Sequence, residues 1–146
     1  VVDNATFNTT QIENVARMFM SNETEAVKIL KMYNATHVVV FTTFFADGRD
    51  VGWGDEGKWM WMARIAGLNE LIFGDFVRGG WQWNDLGRNT TIYKLMNYAR
   101  SQRLRLPSTP PQFFQLVYMS PGTTFSIGNN RCIVLVCVYK VNYPTQ

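Results

Sequence analysis

The stretch Thr36–Phe44, THVVVFTTF, decides the fold class. It is built from β-branched and aromatic residues, the composition of a strand. It lacks clean apolar–polar alternation and therefore reads as a strand buried on both faces. What precedes it is helical. Thr10-Gln11-Ile12-Glu13 has the Thr-X-X-Glu form of a capping box. Ile12, Val15, Ala16 and Phe19 follow at i, i+3, i+4 and i+7, which predicts a helix from about Thr10 to Met20. A second start signal, Ser21-Asn22-Glu23-Thr24-Glu25, leads into Ala26, Ile29, Leu30 and Tyr33 at the same spacing. Two short helices joined this tightly form an αα-hairpin.

Downstream of the strand, ADGRDVGWG supplies the glycines and aspartates of a loop. DEGKWMWMARIAG, from Asp55 to Gly67, then predicts a helix with Asp55 as its cap and Glu56 in its first turn. LNELIFGDFVRGGWQWNDLGRN is broken by Gly74, Gly79, Gly80 and Gly87 and reads as a structured loop with two exposed tryptophans, Trp81 and Trp83. A further amphipathic helix is expected over about Thr90–Arg103. Pro107, Pro110 and Pro111 end it and open an extended connection. PQFFQLVYMS and NRCIVLVCVYKV, separated by a Pro-Gly turn and a polar loop, read as two strands of a hairpin or sheet. The expected architecture is a mixed α/β (α+β) single compact domain over residues 1–146. Its order is α-α-β-α-α-β-β, with the helices packed on a small mixed sheet.

Composition sets bounds on function. The 146 residues are 47% hydrophobic, enough for one domain with a sizeable core. Charged residues make up 17%, below the usual share of about a quarter, and aromatic residues 14%. The net charge is +3, and the one basic cluster, Arg100 to Arg105, suits a helix C-terminus. Nucleic-acid binding is not expected from so scattered a distribution. Cys132 and Cys137 stand five apart in one predicted strand, on opposite faces, where they cannot bridge. With His37 the only histidine, no zinc site can be assembled at the usual spacings. No run reaches the ~20 apolar residues of a membrane helix, and no signal-peptide pattern is expected in these residues. It starts at VVDNATF without Met, which suggests a piece of something longer. Asn-X-Ser/Thr sequons occur at Asn4, Asn8, Asn22, Asn34 and Asn89, an excess that points to an extracytoplasmic location. Asn22 and Asn89 also stand where helix N-caps are expected.

The helix DEGKWMWMARIAG carries the most unusual pattern. At about 100° per residue, Asp55, Lys58 and Met62 fall within roughly 60° of one another. One stripe thus lines up an acid, a base and a soft thioether, while bulk on the other faces predicts a well-buried helix. The stripe has two readings. In one, Asp55 is a cap and Lys58 snorkels outward from a buried helix. In the other it is the wall of a pocket, with Asp55 and Lys58 as polar anchors and Met62 as an adaptable apolar surface. The helix has no nucleophile–base pair, and no phosphate cradle precedes it.

VVDNATFNTTQIENVARMFMSNETEAVKILKMYNATHVVVF resembles the segment that opens the soluble C-terminal domain of the oligosaccharyltransferase catalytic subunit. DEGKWMWMARIAG resembles that family's Asp-X-X-Lys-X-X-X-Met helix, filled by Asp55, Lys58 and Met62. The absence of long insertions is similar to a short, archaeal-type form. The resemblance is good over Val2–Gly67, weaker around the helix from Thr90, and absent from Pro107 onward.

The resemblance implies an enzyme that spans the membrane many times in its full-length form. It would transfer an oligosaccharide from a lipid-linked carrier to Asn in Asn-X-Ser/Thr. Carboxylates of the membrane portion would hold a divalent metal, Mg or Mn. The present residues would form an acceptor-recognition domain on the extracytoplasmic face of the membrane, catalytically silent alone and without a metal of its own. Met62 would touch the threonine methyl, with Asp55 and Lys58 supporting the polar network around it. The family's Trp-Trp-Asp signature is absent; Trp53-Gly54-Asp55 and Trp81-Gln82-Trp83-Asn84-Asp85 stand on the wrong side of the strand and helix to replace it. An alternative from another class is an extracellular carbohydrate-binding module that uses Trp53, Trp81 and Trp83 as stacking platforms. A third is a structural or interaction domain whose tryptophans face a partner.

Overall fold

The computed structural model describes residues 9–49, 55–78 and 80–145. The sequons at Asn4 and Asn8, the stretch around Asp3 and Trp53 lie outside them. The chain is α+β, as expected. The described elements are α1 (Thr9–Met20), α2 (Glu23–Met32), β1 (His37–Phe45), α3 (Trp59–Ile65), β2 (Gly74–Val77), β3 (Gly80–Trp83), α4 (Asp85–Arg88), α5 (Thr91–Leu104), β4 (Phe114–Met119), β5 (Thr123–Ile127) and β6 (Asn130–Val141). Single 3₁₀ turns lie at Asp55–Lys58 and Glu70–Phe73. The residues gather into two compact units. One contains the described residues up to Asn34 together with Trp59–Lys94, and the other Ala35–Lys58 with the chain from Leu95.

In the first unit the αα-hairpin forms as its signals predict. Asn22 caps α2, its side chain accepting the Glu25 N–H at 3.0 Å. Ala16, Met18 and Met20 of α1 and Ala26, Val27, Ile29 and Leu30 of α2 are buried. The start of α5 is tied to the corner between these helices, where the Thr91 N–H and hydroxyl both donate to the Ser21 carbonyl, at 2.8 and 2.9 Å. Asn89 is not the cap of α5. It terminates the short helix α4, and the Thr90 hydroxyl takes over, accepting the Tyr93 N–H at 3.3 Å. The expectation missed α4, so it placed the cap one residue early.

Part of the stretch expected to be loop is a hairpin. β2 and β3 pair antiparallel, with Gly74 opposite Trp83 and Phe76 opposite Trp81. Only Arg78 and Gly79 separate the paired ends Val77 and Gly80. A two-residue connection between alternating aromatic positions is a hairpin signal that the density of glycines obscured.

The described residues of the second unit include a four-stranded sheet with the long strand β6 at its centre. β1 pairs along one side of β6, from His37 opposite Lys140 to Phe45 opposite Cys132. β4 and β5 share the other side. All these pairs are antiparallel, where a mixed sheet was expected. The Pro-Gly of the sequence does not reverse the chain. Ser120, Pro121 and Gly122 stand against Leu135 and Val136, one residue too many, and so form a bulge between β4 and β5. Proline cannot donate to the ladder, and Gly122 adopts φ +94, so the pair suits a bulge. The reversal comes at Gly128-Asn129, with Gly128 at φ +60 in the first central position.

One face of this sheet carries Val38, Val40, Thr42 and Phe44 opposite Tyr139, Cys137, Leu135 and Ile133, all of them buried. The body of α5 covers it. The Tyr139 hydroxyl donates to the Leu95 carbonyl at 2.5 Å, and the Arg100 guanidinium lies 5.6 Å from the Phe44 ring centre. Burial pushes the Tyr139 hydroxyl far above its ordinary range and the Cys137 thiol up to about 11. Cys132 and Cys137 are both buried and free, on opposite faces as their spacing requires. The expected two-sided burial of β1 holds only for its second half. In the first half His37 and Val39 are exposed, Val39 by 61%, while Val38 and Val40 are buried. Among the described strands β1 lies at the edge, and near its start the opposite sheet face is exposed.

Candidate functional site

The helix expected over Asp55–Gly67 is divided in two. Asp55–Lys58 forms a 3₁₀ turn, and α3 begins at Trp59. Side chains three apart eclipse in a 3₁₀ turn, which brings Asp55 and Lys58 into line. Asp55 is the first residue of that turn rather than its cap, and its carboxylate reaches across to β1. Oδ2 accepts the Phe41 N–H at 2.8 Å, and Oδ1 lies 4.0 Å from Lys58 Nζ. The ammonium stands 5.3 Å from the Phe41 ring centre, a cation–π distance. Asp55 is well covered, with 17% of its side chain exposed, whereas Lys58 keeps 48% in solvent. Burial raises the Asp55 carboxyl above its ordinary value, opposed by the Phe41 N–H and the Lys58 charge. The group is a carboxylate fixed by backbone, a cation held loosely beside it, and an aromatic ring under the cation. It can orient a hydrogen-bond donor toward a ligand.

The boundary between the two units falls between Lys58 and Trp59. The structure therefore brings Asp55 and Lys58 together with Phe41, while Met62 belongs to the other unit. Met62 is half-buried in α3, and its carbonyl accepts the Ala66 N–H at 3.0 Å. The helix ends in a Schellman motif, with Gly67 at φ +77 and hydrogen bonds from Gly67 to Arg64 and from Leu68 to Ala63.

The expectation of a well-buried helix is not met. Of α3 only Trp59 and Ala63, four apart, are buried. Trp61 is 62% exposed, and Met60 and Ile65 are exposed as well. A seven-residue helix can bury one stripe, and bulk on its other faces does not bring cover with it. The Arg64 guanidinium lies 5.3 Å from the Trp61 ring centre and is held by Glu70 Oε1 at 2.8 and 2.9 Å. That pairing holds the Glu70 carboxyl below its ordinary value.

The tryptophans of the hairpin are not free platforms. Trp81 stacks on Trp59 with ring centres 4.6 Å apart, and Trp83 meets Trp59 at 5.2 Å and Tyr93 at 5.5 Å. Phe76 packs edge-on against Trp81 at 5.3 Å. This cluster and the place of Phe41 beside Lys58 are the features that sequence reasoning missed. The alternation of Phe76, Trp81 and Trp83 about a two-residue connection could have revealed the first. The second depends on a contact between residues 14 to 17 apart in the chain, for which no local signal exists.

Among the described residues no three His, Cys, Asp or Glu side chains converge as a metal site would need. No described helix is long and apolar enough to cross a membrane. No family model matches the chain. As a whole sequence it is similar to the dolichyl-diphosphooligosaccharide–protein glycosyltransferase subunit stt3 of Schizosaccharomyces pombe, with 27% identity over 167 aligned positions. The alignment covers 99% of this chain and 20% of that protein, so the chain spans about a fifth of the curated relative it matches. The similarity supports an stt3-related domain. It also runs past Pro107, where no resemblance was expected. The apolar runs of those strands are hard to recognise locally.

Proposed function

We propose that this chain is the acceptor-recognition portion of an oligosaccharyltransferase catalytic subunit of the short, archaeal type. Residues 1–146 would form its C-terminal globular domain, on the extracytoplasmic face of the membrane. The full-length protein would transfer a lipid-linked oligosaccharide to Asn in Asn-X-Ser/Thr. The observation that carries this reading is the Lys58 ammonium, steered by Asp55 and the Phe41 ring yet nearly half in solvent. It occurs in a sequence similar over 99% of its length to an oligosaccharyltransferase subunit. Lys58 would donate to polar groups of the bound polypeptide, Asp55 would hold Lys58 in place, and Met62 would receive the methyl group of an acceptor threonine. A thioether adapts to such a group without demanding a hydrogen bond. A divalent metal, Mg or Mn, would supply Lewis-acid chemistry from carboxylates elsewhere in the full-length protein. The chain alone would not catalyse transfer.

The test is transfer by the full-length protein to Asn-X-Thr and Asn-X-Ser peptides. Lys58→Ala should raise the acceptor KM with an unchanged melting profile. Met62→Ala should reduce the preference for threonine over serine by about fourfold, the worth of one buried methyl group. Normal acceptor kinetics in both variants would overturn the assignment.

A further inference from the structure

The outer edge of β1 presents main-chain groups that no described residue pairs. The register with β6 settles which residues point outward. Val136 exchanges hydrogen bonds with Ser120 on its far side, its carbonyl accepting the Ser120 N–H and its own N–H donating to the Ser120 hydroxyl, both at 2.9 Å. Cross-strand neighbours in an antiparallel pair alternate in direction. Phe41, opposite Val136, must therefore turn its N–H and C=O away from β6, and so must Val39 and Phe45. The hydrogen bonds agree: the Phe41 N–H goes to Asp55 at 2.8 Å and the Phe45 N–H to the Arg49 carbonyl at 2.8 Å, both on the outer side. Among the described residues the outward N–H and C=O of Val39 and the C=O of Phe41 have no partner.

From this geometry we propose that the edge His37–Phe41 is a strand-addition site for an extended polypeptide. The choice of occupant rests on chemistry. A donor and an acceptor on one residue, spaced as in a ladder, are complemented by another extended main chain. The Asp55 carboxylate already stands where the carbonyl of a neighbouring strand would accept the Phe41 N–H. It thereby mimics that strand and stops it from running further along the edge. Next to the edge, the open sheet face carries Val39, Val138 and Tyr118 in one cross-strand row, with Val39 61% and Tyr118 54% exposed. Apolar side chains of an added strand would extend this row, and Lys58 would lie beside its end at Phe41. Resting on the reading above, the occupant is the acceptor polypeptide, held in extended form by its backbone.

The experiment uses the full-length protein and acceptor peptides. Val39→Pro removes the outward N–H, and proline is tolerated on an edge strand where that N–H faces outward. Its acceptor KM should rise roughly three- to tenfold, the equivalent of one hydrogen bond, with kcat within about twofold. Independently of the variant, acceptor peptides N-methylated at successive residues should lose affinity at alternate positions on one side of the sequon. Two outcomes overturn the proposal: a folded Val39→Pro protein with unchanged KM, or N-methylation without an alternating effect. Concentration-dependent self-association abolished by Val39→Pro, with peptide KM unchanged, would instead assign the edge to a second copy of the chain. Absence of any transfer by the wild-type protein would overturn the function itself, a result separable from failure of the edge.

Discussion

The cluster of Trp59, Trp81 and Trp83 and the group of Asp55, Lys58 and Phe41 begin on adjoining residues of one chain segment, yet different physics holds each together. The cluster is apolar area removed from water, with stacking worth about 0.5–1.5 kcal/mol beyond burial. The polar group rests on one backbone hydrogen bond and a 4.0 Å ion pair whose cation is half in solvent. A pair so exposed contributes little to stability. The difference teaches that the buried aromatic residues maintain the fold, while the more exposed side chains remain available to a ligand. Trp59 and Trp61 show the same division within one helix, the first 8% and the second 62% exposed.

The strongest way to break this comparison is to truncate both tryptophans. Trp59→Ala should cost about 3–5 kcal/mol in denaturant unfolding, and Trp61→Ala no more than about 0.5 kcal/mol. Similar losses would show that the cluster is not what stabilises this unit. Gly87→Ala comes next. An added Cβ would meet the Phe73 carbonyl oxygen at 2.1 Å and Trp83 Cε3 at 2.5 Å, neither of which can withdraw easily. The expected cost is about 1–3 kcal/mol, with a change in tryptophan fluorescence as the ring of Trp83 shifts. Unchanged stability and emission would contradict the close approach of α4 to the cluster.

The polar group is sharpened by smaller effects. Lys58→Ala should alter stability by less than about 0.5 kcal/mol while raising the acceptor KM, separating fold from binding. The pH dependence of Asp55 has a definite sign. Its carboxyl is raised in the folded state from an ordinary value of 3.8, so the folded protein holds that proton to higher pH than the unfolded chain does. Between 3.8 and the raised value, this one group makes stability fall as pH rises, and above that window its contribution is constant. Asp55→Asn removes the titration. Wild-type minus variant unfolding free energy should therefore decrease with pH across that window. An increase would mean that Lys58 and the Phe41 N–H outweigh the cost of burial.

By itself the sequence determined the helical hairpin, the strand after it, the last long helix and the two cysteines on opposite faces of one strand. Each is written in local spacing, caps or alternation, which act over a few residues. The spacing of Asp55, Lys58 and Met62 also predicted one stripe, but that prediction assumed a continuous α-helix, and the structure puts Asp55 and Lys58 on a 3₁₀ turn of one unit and Met62 on α3 of the other. Tertiary structure alone decided the rest. It made Pro121-Gly122 a bulge, because β6 continues straight past it and both β4 and β5 pair with the same strand. It turned Asp55 from a helix cap into a partner for the edge of β1, and placed an aromatic ring beside Lys58. It left most of α3 exposed despite its bulk. A side chain's hydrophobicity favours burial, but only long-range packing determines which surfaces find a partner.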